Sequence, residues 1–77
     1  MSQQQDIPDA IVKVVEVVGS SPSSFSDAVR NAVSITAQSV HGIRGVEVLS
    51  SNADVDANGQ LTIYKVDCKI AFVVDKS

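Results

Sequence analysis

The sequence has no tryptophan, one cysteine (Cys68), one histidine (His41), two prolines, and only two phenylalanines and one tyrosine among its 77 residues. A single cysteine cannot form an internal disulfide, and with one histidine it cannot complete a four-ligand zinc site. So few aromatics deny the core the side chains that bury most area per residue. No apolar run approaches the length of about 18 residues that a membrane-spanning helix needs. Lysine and arginine total 6 against 9 acidic residues, a net charge of -3, and no basic cluster stands out. A nucleic-acid surface is therefore not expected. The opening Met1-Ser-Gln-Gln-Gln-Asp6 has neither a basic flank nor an apolar stretch, so a secretory signal is not expected either. No nucleophile–base pair or paired acids stand out, and His41 has no partner placed to make it a base, so no enzyme is expected. These exclusions lead to the expectation of an acidic cytoplasmic protein that binds neither nucleic acid nor membrane.

What is present is a globular composition, 44% hydrophobic and 19% charged, too apolar for a disordered chain. At 8.1 kDa it can hold one small domain. A core of this size supplies only about 3–5 kcal/mol and needs a staple. With no disulfide and no evident structural metal, oligomerisation is the staple left. Residues 1–9 are polar and are expected to form a flexible tail, with a single domain over 10–77.

Ala10 to Val18 is dense in β-branched residues and reads as a strand closed by Gly19. The Gly19–Ser24 stretch is turn chemistry. Ser24 followed by Asp27 approximates a capping box. Phe25, Ala28, Val29, Ala32, Val33, Thr36 and Val40 then recur at three- and four-residue steps, which predicts a helix ending at His41-Gly42. Val46 to Val55 reads as a second strand, and Asp56-Ala-Asn-Gly59 as a hairpin turn. From Gln60 to Val74, Tyr64, Val66, Cys68, Ile70, Phe72 and Val74 alternate with Lys65, Asp67 and Lys69, a strand of roughly 50 Å. The expected class is α+β in β-α-β-β order. The last strand is central in an antiparallel sheet, and one helix covers one sheet face. The other face carries Leu61, Ile63, Ala71 and Val73 among charges, and half-apolar uncovered surface of that kind is a contact surface.

Val12-Lys-Val-Val-Glu-Val-Val-Gly-Ser-Ser-Pro22, Asp27-Ala-Val-Arg-Asn-Ala-Val33, Glu47-Val48 and Tyr64-Lys-Val-Asp-Cys-Lys-Ile-Ala-Phe72 together resemble the dodecins over about residues 11–74. Ile43-Arg44 and Ala53-Asp-Val-Asp-Ala-Asn-Gly59 are similar to the calcium dodecin subgroup. The resemblance implies a sheet wrapped around its helix and twelve copies closed into a hollow homododecamer. It also implies a role in binding and storing a small ligand, a flavin such as FMN or riboflavin in the family at large. Flavin-binding members stack the ligand on a tryptophan at the start of the second strand and hold it with a glutamine on the third. Here those positions are Gly45 and Lys65. Arg44, Gly45, Glu47 and Lys65 are the residues that the resemblance places at the ligand position. An alternative is a structural oligomer or cargo protein with no small ligand.

Asp54-Val-Asp56-Ala-Asn58-Gly59 also matches the first half of a calcium-binding loop. Acids stand at positions one and three, an amide at five and glycine at six. The twelfth position is Lys65, where a bidentate glutamate is required. Asp54, Asp56 and Asn58 are thus calcium-ligand candidates that need further oxygens from water or a second subunit, and a solvated turn explains the same residues.

Overall fold

A computed structural model describes residues 10–75, so the tail expected over residues 1–9 lies outside the described residues. Four elements follow in the expected order: β1 (Ala10–Ser21), α1 (Phe25–Thr36), β2 (Ile43–Val55) and β3 (Leu61–Asp75). The sheet has the order β1-β3-β2, with both neighbours antiparallel to β3. Val15 lies opposite Ile70, Val17 opposite Cys68, and Gly19 opposite Val66. Directly opposed residues share a face, so these side chains point together at α1. Cys68 and Ile70 have no exposed surface and Val66 has 1%; Ala28 and Ala32 close the core from the helix. Phe25 meets Tyr64 edge to face with centroids 4.9 Å apart.

β3 is displaced by one residue at each end from the expected Gln60 to Val74, and three other boundaries differ by more, each for a local reason. Gly19 does not end β1; the strand runs on to Ser21. A Cβ at Gly19 would stand 2.3 Å from the Ala28 carbonyl oxygen and 2.7 Å from Ala32 Cβ. The glycine is where the helix seats on the strand, a close-approach use rather than a turn. The helix stops at Thr36 instead of running to Val40. Its last carbonyls are taken up in tightening turns, with Gln38 N donating to Ile35 O at 3.1 Å and Ser39 N to Thr36 O at 3.0 Å. Gly42, at φ 75°, therefore opens β2 rather than capping α1, and its carbonyl accepts from Val73 N at 3.0 Å. That pairing starts β2 at Ile43, three residues before the expected Val46.

The cap at the helix start is as read. Ser24 Oγ accepts from Asp27 N at 3.0 Å. The Asp27 carboxylate does not reach back to complete the box; it accepts from Ser21 Oγ at 2.8 Å, which ties the cap to the end of β1. Ser21 is 2% exposed, and its hydroxyl also takes the Ser23 N–H at 2.9 Å. The Gly19–Ser24 stretch thus spends its polar groups on itself and on the helix it leads into.

The chain does not close around its own core. It measures 55 × 27 × 14 Å with a radius of gyration of 16.0 Å, where a compact chain of this length has about 11–12 Å. The helix lies over β1 and β3 and barely reaches β2. Val46 and Val48, on the helix side, stay exposed, as do Val12, Val14 and Val18 on the opposite side, with Val18 at 68% and Ile35 of the helix at 65%.

Candidate functional site

The face of the sheet turned away from α1 is built in cross-strand rows, and the registers of β1 and β2 on β3 fix each one. Val14, Ala71 and Gly45 form one row; Glu16, Lys69 and Glu47 the next; Val18, Asp67 and Ser50 the third; Ser20, Lys65 and Asn52 the fourth. β2 keeps this alignment through register shifts between Ile43 and Gly45, between Val48 and Ser50, and between Asp54 and Val55. Bulges of this sort bend an edge strand and break up its free edge.

The first two rows enclose an open recess of about 250 Å³ lined by Val14, Gly45, Val46, Glu47, Lys69 and Ala71. Nothing lies within 4 Å of where a Gly45 Cβ would stand, so the recess exists because this position carries no side chain. Of the residues expected at the ligand position, Gly45 and Glu47 come together here. Lys65 is two rows away with its Nζ 2.8 Å from Asp54 Oδ1. Arg44 is exposed at the β2 register shift and does not line the recess.

The hairpin tip uses its oxygens internally. Asp56 Oδ1 accepts from Asn58 N at 2.9 Å and Gln60 N at 3.0 Å, while Gly59 N donates to Asp56 O at 3.1 Å. Gly59 alone takes the positive φ, at 80°, and Asn58 does not. Asp54 is held by Lys65, and its carbonyl accepts from Thr62 Oγ1 at 3.3 Å. Asp56 and Asn58 are thus bonded to each other, while Asp54 is paired separately with Lys65. Among the described residues no three His, Cys, Asp or Glu side chains gather as a metal-holding group.

Two features of this face escaped the sequence reading. Glu16 lies diagonal to Asp67 across the β1–β3 ladder, and their carboxyls are within hydrogen-bonding reach. That contact and the Asp67 charge raise the Glu16 pKa above the ordinary carboxylate value, with Lys69 opposing. Asp67 Oδ1 is buried and has no hydrogen-bond partner. The alternation of β3 put Asp67 and Lys69 on one face, but only the register brings Glu16 beside them. Cys68 faces the helix, and burial followed by the Asp67 charge pushes its thiol up, so it stays a protonated core side chain. At the far end His41 is exposed on a shallow recess of about 400 Å³, shared with Ser39, Val40, Gly42 and Phe72. Among the described residues no acid lines it.

Comparison with known proteins adds to this geometry. The dodecin family model matches residues 11–75. A curated calcium dodecin of Mycobacterium tuberculosis is 32% identical over 63 residues, covering 82% of this chain and 87% of the relative. Among solved structures, dodecin from Streptomyces coelicolor is 32% identical with a TM-score of 0.83, covering 90% of this chain and 97% of that one. The calcium-chelating immunodominant antigen calcium dodecin of M. tuberculosis, described with a novel calcium-binding site, is 30% identical with a TM-score of 0.73, covering 87% and 94%. Dodecin from Streptomyces davaonensis is 26% identical with a TM-score of 0.82, covering 88% and 98%.

Proposed function

This chain belongs to the dodecin family, and from that premise we propose that it is a homododecameric, non-enzymatic, cytoplasmic protein that binds and stores a small ligand. The observation that carries the assembly is the mismatch, among the described residues, between a core of five buried apolar residues and the large apolar side chains left exposed on both sheet faces. Apolar burial is worth roughly 25 cal/mol per Å², and this chain leaves much of that stabilisation to be gained from further copies. The assembled protein is expected to sediment at roughly 100 kDa, twelve times 8.1 kDa. A stable folded monomer at micromolar concentration would sink this reading.

For the ligand, the residues present do not fit a stacked flavin. Gly45 offers no ring, and the Lys65 ammonium is a donor without an acceptor, already paired with Asp54. Riboflavin is expected to bind weakly, with little quenching of its fluorescence. The space at Gly45 is open, so Gly45→Trp should create an aromatic platform and raise both affinity and quenching. Strong quenching by the parent protein would mean that another group stacks on the ring.

Calcium is the ligand class that the acidic balance supports better. Twelve chains at -3 each concentrate roughly -36 in one particle, a field that gathers divalent cations. At the hairpin tip a cation would have to displace Lys65 from Asp54 and draw further oxygens from water or another copy, because calcium takes six to eight. The committed donors at this tip and the absent side chain at Gly45 favour a second reading, a structural oligomer with no ligand. An absorbance spectrum and elemental analysis of protein purified without additions separate flavin, metal and empty.

A further inference from the structure

The cross-strand rows leave one group of charges without an internal balance. Glu16 of β1, Asp67 and Lys69 of β3 and Glu47 of β2 occupy two adjacent rows of the open face, three carboxyls against one ammonium. The next charged pair on that face, Lys65 with Asp54, is satisfied within itself. The helix lies on the opposite face and contributes no charge here. Lys69 stands between Glu16 and Glu47 in its row, so it is shared between two acids, and Asp67 in the neighbouring row keeps a buried oxygen with no donor. Glu16 is its diagonal neighbour across the β1–β3 ladder, and a carboxyl can donate only when protonated.

We infer that Glu16 and Asp67 act as one proton-sharing pair, and that covering the open face with a second copy takes up a proton at this pair, so that association weakens as pH rises. The inference rests on the proposal that the open face is buried between copies. In the isolated chain Glu16 is exposed, and water screens its repulsion from Asp67. A second copy removes that water, and two adjacent carboxylates cannot then both stay charged. One shared proton turns the repulsion into a charge-assisted hydrogen bond.

The direction follows from desolvation: burying two neighbouring carboxyls between copies favours the protonated form, and the Asp67 contact and charge already act on Glu16 in that sense within one chain. A carboxyl that holds its proton more tightly in the paired state than in the free chain favours that state fully below the ordinary carboxylate value. The contribution is lost as pH climbs through the raised value. Most native carboxylates have the opposite dependence, with stability lost in acid.

The test is sedimentation of the full chain over dilution series at fixed salt, from about pH 5 to about pH 8.5, a window above the ordinary carboxylate range. The parent's dissociation concentration should rise with pH, approaching tenfold per unit for each proton taken up per contact. Glu16→Gln supplies a permanent amide donor to Asp67 and cannot titrate. It should dissociate at a concentration that changes far less over the window and lies below the parent's at its alkaline end. Asp67→Asn should flatten the profile as well. Parallel pH profiles for parent and Glu16→Gln would overturn the proton-sharing inference while leaving assembly standing. A parent that remains monomeric at every pH would overturn the assembly proposal, and this inference with it.

Discussion

Gly19→Ala is expected to unfold the protein or detach its helix, although it adds a single methyl group. That methyl would lie 2.3 Å from the Ala28 carbonyl oxygen, 2.7 Å from Ala32 Cβ and 3.1 Å from Ala32 N. None of these atoms is the end of a flexible side chain, so relief requires α1 to move off β1. Overpacking of this kind costs about 1–3 kcal/mol even where side chains can adjust. Against it stands a gain of about 0.4–1 kcal/mol from the stiffer unfolded chain. The steric term wins, and it falls on a core whose whole margin is about 3–5 kcal/mol. Thermal melting followed by far-ultraviolet circular dichroism should show a large downward shift with loss of helical signal. Gly45→Ala is the matched control, since nothing lies within 4 Å of its added Cβ, and it should melt at or slightly above the parent. If Gly19→Ala melts with Gly45→Ala, the helix does not seat on β1 as described.

Those two glycines also mark what a single sequence shows of this fold. The order of elements was legible because the period-two run of β3 and the three- and four-residue stripe of α1 are strong local signals. A glycine inside an apolar run is ambiguous: it can end a strand or admit a neighbouring backbone. Gly19 was read the first way and serves the second. The helix end was misplaced for a related reason. Val40 continues the apolar stripe, but it belongs to the turns that bring Gly42 against Val73, a contact made in tertiary structure. On the open face, the placement of Lys65, Asp67 and Lys69 could be read from alternation alone. Their partners could not. The Lys65–Asp54 ion pair and the Glu16–Asp67 contact depend on register, and on β2 the register shifts three times. The resemblance to the dodecins placed Gly45 and Lys65 near a ligand position, yet the open recess at one and the ion pair at the other appear only once the strands are paired.

The core prediction with the greatest expected cost is Ile70→Ala. Alternation placed Ile70 and Phe72 on the helix side with Tyr64 and Val66, which would make the phenylalanine the more valuable. The structure reverses that order. Ile70 is fully buried, the largest side chain of the core, set between Val15 and Val46 on the central strand. Phe72 lies two residues further along, opposite Ile43 and Lys13, and is only half-buried beside the His41 recess. Truncating a buried isoleucine to alanine costs about 2–5 kcal/mol, the transfer free energy of the lost groups plus the cavity they leave. Phe72→Ala in the isolated chain should cost less, because part of its ring already faces water. The order changes if copies cover the recess, since Phe72 would then be buried by the neighbour. Urea unfolding over a range of protein concentrations separates the two cases, because stability gained from association depends on concentration and stability of the single chain does not. Ile70→Ala should lower the midpoint at every concentration, whereas the deficit of Phe72→Ala should grow as the parent assembles. A Phe72→Ala protein that is the less stable of the two even under dissociating conditions would show that the core is centred nearer the end of β3 than Ile70.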